Sequence, residues 1–481
     1  MSAQTDLFRR KVADSLGPPP PTAPQDISVG QAVAALAATP SSALVLLDAD
    51  RRPAGILTEA DIARRVAFSV DASTPVAEVM TAPVVCIEAG EYLYRAIARM
   101  RRHGLRHLPA IDEADRLAGV VHMDEALAAA SDETVARIDL LSGDDGDASL
   151  RAIRTAQAGI AADLLADGVP VSDVQGLITH VNNDLYRRVT RDLLREMSPP
   201  PADFAVIVMG SGGRGENFLT PDQDNGLVIA DYPDADHDRI DGWFIGFADR
   251  LTRRMDAVGL PLCTGNVMAT NPLWRKTQAQ WLDQMEIWLR HSSAAAVLLA
   301  DIFFDFRPVA GNAALARPVR DLITARLTQN RRFLGDMLRH HDHFRSAIGL
   351  FGGFRTERRD AAHRGAINLK YHGVQPVVAA ARMLALRDGI AETATLARLR
   401  ALAEAGTLPA ADADDIAAAF AVVCDTLLRA QIADVEAGVA ASNFVAPARL
   451  TRRGRRSLRE AFRTIDRFGD GVRSDITGRV I

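Results

Sequence analysis

The chain has few of the residues that mark secreted, disulfide-bonded or nucleic-acid-coating proteins. Its 481 residues contain only three cysteines, Cys86, Cys263 and Cys424, and three lysines against 53 arginines. Cysteines so few and so far apart form neither a disulfide framework nor a zinc motif, so we expect a cytoplasmic protein. The formal net charge of −5 argues against general electrostatic attraction to nucleic acid. No nucleic-acid partner is therefore expected.

Long apolar runs are also missing from the sequence. No stretch reaches the roughly 18 consecutive apolar residues of a transmembrane helix, and the first 25 residues lack the apolar core of a signal peptide. The N-terminus instead predicts a tail over residues 1–24, with a short helix and then a proline-rich spacer at Pro18–Pro21. No membrane partner is expected, and the length predicts about three domains.

Residues 25–130 contain an internal repeat, in which a helix, a strand, a turn, a second strand and a second helix occur twice. The second strand of each copy runs into a short motif, GILTEAD in the first copy and GVVHMDE in the second. This unit resembles a cystathionine-β-synthase (CBS) domain. The resemblance implies a pseudo-twofold pair of α+β domains, whose clefts commonly hold adenine nucleotides.

The CBS resemblance also implies roles for single residues. In the first copy the hydroxyl of Thr58 can reach a phosphate, and the carboxylate of Asp61 can take ribose hydroxyls. The corresponding residues of the second copy are His122, which lacks the compact hydroxyl, and Glu125, with Asp124 as a substitute after a one-residue shift. We expect AMP or ATP at the pair and a homodimer formed through it. A purely structural pair that mediates dimerisation is the alternative.

The most specific pattern lies at residues 204–230, where an apolar run enters a Gly-Ser-Gly-Gly turn. Gly210, Gly212 and Gly215 satisfy the dinucleotide-binding fingerprint G-x-G-x-x-G. That fingerprint requires a full helix between its strands, in a unit of about 30 residues. Here the next apolar run begins eleven residues after Gly215, with Pro221 in between. The spacing excludes a dinucleotide-binding fold.

The remaining interpretation is a phosphate loop beside a pair of metal-binding carboxylates. The backbone N–H groups of Gly210 and Ser211 can face phosphate oxygens. Asp222 and Asp224 are one residue apart at the start of the next strand, so both carboxylates point to the same side. Two carboxylates together with substrate phosphates suit Mg²⁺. The alternative is a glycine-rich hairpin whose aspartates only cap turns.

The pattern G-S-x-G-R-x-E followed by D-Q-D-N resembles the nucleotidyltransferase domain related to bacterial PII-protein uridylyltransferases. The matching residues are Gly210, Ser211, Gly213, Arg214, Glu216, Asp222, Gln223, Asp224 and Asn225. The resemblance implies a polymerase-β-like core, a mixed sheet with helices, that binds a nucleoside triphosphate and Mg²⁺. Gly210, Ser211, Gly213 and Arg214 would contact the nucleotide, and Asp222 and Asp224 the metal.

The resemblance further implies a third carboxylate on a later strand. Asp305, in the apolar run IFFDFRPVAG, is the first candidate to complete the metal site or to act as a base, and Asp301 is the second. The alternative for Asp305 is an ion pair with nearby Arg307. The segment Cys263–Pro272 predicts a further core strand and loop, with Asn266 at the site.

The sequence predicts a nucleotidyltransferase domain over residues 148–320, with a helical lead-in, and an all-α domain over residues 326–475. The latter resembles the helical substrate-binding region that accompanies this family. Its segment GGFRTERRDAAHRGAINLKYHG is rich in positive charge and contains Lys370. Because lysine is a point charge that arginine does not reproduce, we expect Lys370 to contact the triphosphate. The alternative is a basic surface patch.

Together these features predict an α/β multidomain enzyme with a CBS pair, a nucleotidyltransferase core and a C-terminal all-α domain. It would transfer a nucleotidyl group from a nucleoside triphosphate to an acceptor, which the resemblance suggests is a small signalling protein. Adenine nucleotides at the CBS pair would regulate it. The alternatives are a non-catalytic nucleotide-sensing signalling protein and a CBS-driven scaffold for partner proteins.

Overall fold

The computed structural model describes residues 10–67, 70–127, 147–291, 293–328, 330–341, 345–349 and 352–477. The chain divides into two compact units, residues 1–144 and 145–481, and each is described by itself. Residues 1–9 of the predicted N-terminal tail lie outside the described residues. The rest of that tail contains a 3₁₀ turn, Ala13–Ser15, the proline-rich spacer and a short strand, Thr22–Pro24, so its last residues belong to the first sheet.

The first unit consists of two three-stranded sheets that share one topology. In each sheet the first strand pairs in parallel with the second, and the second pairs antiparallel with the third. The internal repeat predicted from the sequence is therefore confirmed. The strands are β1 (Thr22–Pro24), β2 (Ala43–Leu47), β3 (Pro53–Thr58), β4 (Ile87–Glu88), β5 (His107–Ile111) and β6 (Leu117–His122). The helices are α1 (Val29–Ala37), α2 (Glu59–Asp61), α3 (Leu93–His103) and α4 (Met123–Leu127).

Local sequence explains the first copy of the repeat. Ser28 and Gln31 form a reciprocal capping box that starts α1, because each side chain accepts a backbone N–H that the helix leaves unpaired. Leu44, Leu46 and Leu57 on the central strands are fully buried and form one apolar cluster with α1. Burial of each leucine contributes on the order of 2 kcal/mol, so this cluster holds the helix on the sheet.

The second unit is built on a four-stranded mixed sheet in the order β10-β7-β8-β9. Strand β7 is antiparallel to both of its neighbours, and β9 is parallel to β8. Every residue of β7 and β8 is buried, as expected for central strands with both faces covered. The strands are β7 (Phe204–Val208), β8 (Asn225–Ile229), β9 (Arg275–Thr277) and β10 (Arg307–Gly311).

Helices precede the sheet, connect its strands and follow it. Before and within the sheet they are α5 (Asp147–Ala166), α6 (Val171–Glu196), α7 (Gly210–Arg214), α8 (His237–Ala257), α9 (Gln278–Arg290) and α10 (Ala294–Phe303). After it come α11 (Arg317–Leu327), α12 (Arg331–His341), α13 (Gln375–Arg387), α14 (Thr395–Glu404), α15 (Ala410–Glu436) and α16 (Arg452–Thr477). A short antiparallel pair, β11 (Ile367–Asn368) and β12 (Phe444–Val445), lies among the last helices. The predicted helical C-terminal region is therefore confirmed as a predominantly helical one.

One predicted strand lies later in the chain than expected. The segment Cys263–Pro272 consists of turns, and the strand that pairs with β8 is β9, which begins at Arg275. The apolar residues Val267, Met268 and Ala269 of this segment are buried as a loop. Their burial explains the strand-like composition, because a loop that packs onto a sheet needs the same apolar side chains as a strand.

Helix α15 is long and apolar enough to cross a membrane by length and composition, with a mean hydropathy of 1.6 in its most apolar window. Half of that window is buried, and the helix packs against α14 and α16 and against the lead-in helices α5 and α6. Such burial is the pattern of a core helix in a globular domain.

Candidate functional site

Asp222 and Asp224 lie at the edge of the mixed sheet, immediately before β8. At this edge β7 ends and α7 begins, since Val208 pairs with Asn225 and the N–H of Met209 donates to the carbonyl oxygen of Asp224 at 2.8 Å. Gly210 follows with a φ of +54°. A Cβ at this position would lie 2.9 Å from Oδ2 of Asp224. Glycine therefore allows the loop to approach the carboxylate, and the structure brings the two predicted elements together.

The carboxylate of Asp224 is half-buried and lies close to a second negative charge. Burial raises its pKa, and the charge of Asp222 raises it further. A hydrogen bond from the thiol of Cys263 and the positive charge of Lys370 act in the opposite direction. In turn, burial and the Asp224 carboxylate raise the pKa of Cys263 to about 11. Two carboxylates held in this way are suited to a divalent cation.

Lys370 reaches the aspartate pair from the helical part of the unit. Its Nζ lies 3.4 Å from Oδ2 of Asp222, and both side chains are partly exposed to solvent. Lys370 begins a π-helical turn, Lys370–Val374, that leads into α13. The structure thus brings together Lys370, Asp222, Asp224 and Gly210, which the sequence placed in three separate motifs.

Other residues of the motif hold the loops in place. The hydroxyl of Ser211 donates to Oδ1 of Asn217 at 2.9 Å, so in this structure it stabilises its own loop. The side-chain amide of Asn225 accepts from the N–H of Ala269 at 3.0 Å. Gln223 is fully buried and donates to the backbone carbonyls of Thr252 and Leu260. These three side chains fix the loops on both sides of the aspartates.

Asp305 is far more enclosed than a metal ligand would be. Its carboxylate is fully buried and accepts hydrogen bonds from Arg214 at 2.9 Å and from Arg398 at 2.7 Å. Arg382 donates to the same carboxylate through two nitrogens. Burial alone would raise the pKa of Asp305, but the three guanidinium groups outweigh it and hold that pKa far below its usual range.

This geometry corrects two expectations for the site. Asp305 does not complete the metal site, because its oxygens are already shared among three arginines. Arg214 does not face the open side of the glycine loop, because it is buried between Glu216 at 2.7 Å and Asp305. Burial lowers the pKa of Arg214, but these two carboxylates outweigh the effect and raise it. Asp301, the second candidate, pairs with Arg382 in the same network.

Six charged side chains form a balanced network that joins the glycine loop and α7 to the helical part of the unit. Three arginines meet three carboxylates, and Glu216 also accepts the N–H of Thr395 at 2.6 Å. Sequence reasoning missed Arg382 and Arg398, which lie on α13 and α14 and are almost fully buried. The available signal was an arginine on the apolar side of a predicted helix, because a buried charge must be paired. Such a position indicates an acidic partner elsewhere in the fold. The network members are Arg214, Glu216, Asp301, Asp305, Arg382 and Arg398.

Gly213 has a packing role in this arrangement. A Cβ at Gly213 would lie 1.6 Å from the carbonyl oxygen of Asp305. The Gly213 carbonyl also accepts a hydrogen bond from the hydroxyl of Thr393 at 3.1 Å. The glycine is therefore required for the contact between α7 and the turn before β10, and it does not line the open edge near the aspartates.

In the first unit, Thr58 and Asp61 form a capping box at the start of α2. The hydroxyl of Thr58 donates to Oδ2 of Asp61 at 2.8 Å, and Arg65 pairs with the other carboxylate oxygen. Burial raises the pKa of Asp61, but the hydrogen bonds from Thr58 and the contact with Arg65 together outweigh it and lower that pKa. The two predicted contact residues are thus adjacent, on one helix start.

His122 lies opposite His107 on the neighbouring strand, with ring centroids 5.2 Å apart in an edge-to-face arrangement. Nε2 of His107 is 2.7 Å from the hydroxyl of Ser42 in the first copy of the repeat. Burial lowers the pKa of His107, and the charges of His122 and Arg106 lower it further. His107 therefore links the two copies, and His122 packs against it within the second copy.

Within the part of the chain that the structure describes, no group of three or more His, Cys, Asp or Glu residues is arranged to hold a metal ion. The site accordingly offers two carboxylates, Asp222 and Asp224, at one edge of the sheet. Any further ligands would come from substrate phosphates or water, which is the common arrangement for Mg²⁺.

Family models match most of the chain. A CBS domain model matches residues 12–67 and 76–132. The family "Putative nucleotidyltransferase DUF294" matches residues 155–295, and "Putative nucleotidyltransferase substrate binding domain" matches residues 331–476. The class is therefore that of nucleotidyltransferase-like proteins with an accompanying substrate-binding domain. Together the three models support a CBS-domain-containing putative nucleotidyltransferase.

Other similarities concern a smaller part of the chain. Inosine-5′-monophosphate dehydrogenases of Mycobacterium tuberculosis and Mycobacterium bovis are 29% identical over 167 residues, which are 33% of this chain and 31% of those proteins. The chain thus spans about a third of the length of these relatives. Among solved structures, a CBS domain protein from Pyrobaculum aerophilum complexed with AMP is 25% identical to this chain, with a TM-score of 0.23. The similar region covers 24% of this chain and 89% of that chain. A CBS domain pair/ACT domain protein from Thermotoga maritima is 18% identical, with a TM-score of 0.22. The similar region covers 25% of this chain and 95% of that chain.

Proposed function

We propose that the second unit is a Mg²⁺-dependent nucleotidyltransferase, which transfers a nucleoside monophosphate from a nucleoside triphosphate to an acceptor hydroxyl. The observation that carries the proposal is the close approach of Gly210 to Asp224, with Lys370 beside Asp222. A glycine loop, two carboxylates and a lysine at one sheet edge are the groups that a triphosphate with its metal requires. The match to the nucleotidyltransferase family supports the same class of reaction.

Asp222 and Asp224 would hold the metal ion. They fit it because two carboxylates lie on one side of the chain, and the pKa of Asp224 is raised by burial and by its neighbour. When bound, Mg²⁺ neutralises charge on the transferred phosphoryl group and on the departing pyrophosphate. The remaining groups belong to the chain. Backbone N–H groups at Gly210 and Ser211 orient the phosphates, and Lys370 supplies a positive charge beside Asp222.

The acceptor is proposed to be a protein, as the resemblance to PII-protein uridylyltransferases suggests. Such an acceptor would bind the helical part of the unit, which matches a substrate-binding domain. The CBS pair is proposed to bind AMP or ATP near Thr58 and Asp61, to mediate a homodimer and to regulate transfer. Asp61 already faces Arg65 there, so a bound ribose would have to compete with that pair. We further propose a cytoplasmic location.

The proposal is tested by label transfer. The full chain is incubated with each α-labelled nucleoside triphosphate, Mg²⁺ and a cell lysate, while pyrophosphate is measured. Nucleotidyl transfer predicts a labelled product and stoichiometric pyrophosphate, both lost in Asp222→Ala and Asp224→Ala. Asp249→Ala, an exposed acid on α8, is the matched control and should leave transfer unchanged. Transfer that persists in both site variants would contradict the proposal.

One observation favours a second candidate, a non-catalytic nucleotide sensor. Asp305 is occupied by arginines, so the described residues supply two carboxylates to the metal site rather than three. A sensor would bind a nucleoside triphosphate in a metal-dependent way and release no pyrophosphate with any of the four common nucleotides. Tight binding without turnover in the assay above would select this candidate.

A further inference from the structure

A strongly basic surface lies on the helical part of the second unit. Residues 352–372 and 449–463 together contain twelve arginines and lysines but only three aspartates and glutamates, whereas the whole chain has 56 against 61. We call this surface the basic face. Its exposed arginines are Arg355, Arg358, Arg359, Arg364, Arg449, Arg452, Arg453, Arg456 and Arg463.

Direct contacts hold the two segments of the basic face together. The ring of Phe354 lies 6.1 Å from that of Phe462, and the guanidinium of Arg459 stacks over Phe354 at 4.9 Å. A Cβ at Gly352 would lie 3.4 Å from Nη2 of Arg463. The loop that carries Arg355 is thus packed on the first half of α16, and their positive charges share one surface.

The basic face continues to the aspartate pair. Strand β11 pairs with β12, and the ring of His363 stacks on that of Phe444 at 3.8 Å. Two residues after β11 comes Lys370, whose Nζ is 3.4 Å from Asp222. A partner that lies on the basic face therefore reaches the edge where the nucleotide is proposed to bind.

All three acids of the basic face are engaged within it, and Oδ1 of Asp360 accepts the backbone N–H of Ala362 at 3.0 Å. Oε1 of Glu357 accepts the backbone N–H groups of Arg358 and Arg359 at 2.7 and 2.6 Å, which lowers the pKa of this carboxyl. Glu460 pairs with Arg456 at 3.0 Å. Most of the positive charge on the face is therefore not compensated by acids of the same segments, and such a surface attracts an anionic partner.

We propose that the basic face binds an acidic polypeptide segment of the acceptor protein and so presents the acceptor hydroxyl to the nucleotide; this rests on the proposed function. Residues 452–463 span about 18 Å at 1.5 Å per helical residue, which matches five or six residues of an extended chain at about 3.3 Å each. Beyond the face the chain is acidic overall, so a long nucleic acid would extend over repulsive surface. Arginine forks pair with carboxylates in a bidentate way, which suits a short run of glutamate or aspartate.

The test is a direct binding measurement on the full chain without nucleotide or metal. The probe is a fluorescein-labelled octapeptide with six glutamates and one tyrosine, followed by anisotropy at 50 and 200 mM NaCl. The comparison probe is a labelled single-stranded DNA of eight nucleotides. The face variant combines Arg358→Glu with Arg359→Glu. The matched control combines Arg331→Glu with Arg332→Glu, an exposed arginine pair at the start of α12 that lies outside both segments of the basic face.

We expect the peptide to bind more tightly than the DNA and to weaken about tenfold in the higher salt. The face variant should weaken peptide binding at least about tenfold, and the control variant less than about twofold. Equal losses in both variants, no loss in the face variant, or tighter binding of the DNA would each overturn the proposal. Since no nucleotide is present, a failure of nucleotidyl transfer leaves this result unaffected. Conversely, if the peptide does not bind while nucleotidyl transfer is intact, the proposal for the basic face is refuted and the proposed function is not.

Discussion

Replacing Asp305 with asparagine separates a structural role for this residue from a metal-binding one. The fully buried carboxylate balances Arg214, Arg382 and Arg398, with one oxygen facing Arg398 and the other facing Arg214 and Arg382. In either orientation, the NH₂ group of asparagine would face at least one guanidinium donor. Breaking a buried ion pair on one side costs about 3–5 kcal/mol, and we expect a loss of this size.

The assay is urea denaturation followed by tryptophan fluorescence. All four tryptophans lie in the second unit, so their fluorescence reports on that unit alone: Trp243, Trp274, Trp281 and Trp288. With a slope of roughly 3 kcal/mol per molar urea, the expected loss lowers the midpoint by about 1 to 1.7 M.

Asp222→Asn is the matched control for this experiment. Asp222 is exposed, and its pair with Lys370 is open to solvent, so its contribution to stability is at most about 1 kcal/mol. We expect its midpoint to match that of the unaltered chain, while metal-dependent nucleotide binding is lost. If Asp305→Asn unfolded at the unaltered midpoint yet lost metal-dependent binding, Asp305 would be a metal ligand and the reasoning would be refuted.

Three further predictions concern single positions. Gly213→Ala places a Cβ 1.6 Å from the Asp305 carbonyl oxygen and should destabilise the second unit by about 3 kcal/mol or more. Gly212→Ala, whose nearest contact would be 3.4 Å, should cost less than about 1 kcal/mol, and equal losses would contradict this packing. Thr58→Ala removes a capping box and should cost the first unit about 1 kcal/mol, as measured by circular dichroism during urea denaturation. The folded pKa of His107 is lowered, so the unfolded chain binds protons more readily; stability of the first unit should fall as the pH drops through about 6.5. His107→Gln should reduce this pH dependence in the same measurement. An unchanged dependence of stability on pH would contradict the assignment of this effect to His107.

The fold and the aspartate pair could be predicted because their signals are local in sequence. The glycine loop and the aspartates are separated by a short connection, and the antiparallel pairing of Val208 with Asn225 forces them to one sheet edge. The repeat in the first unit was predictable for the same reason, since each copy is a contiguous unit with its own turn and cap. Lys370 was found through composition, as one of three lysines in an arginine-rich chain.

The environment of Asp305 could not be predicted, because its partners are distant in sequence. Arg382 and Arg398 lie 77 and 93 residues away and were read as parts of ordinary helices. The strand at Arg275 was also misplaced, since the preceding loop is buried and carries a strand-like composition. In both cases tertiary packing, rather than local preference, determines the outcome.

A nucleotidyltransferase moves the α-phosphoryl group of a nucleoside triphosphate with its nucleoside attached. The most direct measurement compares α-labelled and γ-labelled triphosphate with the purified full chain, Mg²⁺ and the acceptor-containing lysate. We expect the α-label to enter the acceptor and the γ-label to leave as pyrophosphate in equal amount. Label from the γ position in the acceptor, or release of single phosphate, would contradict this expectation.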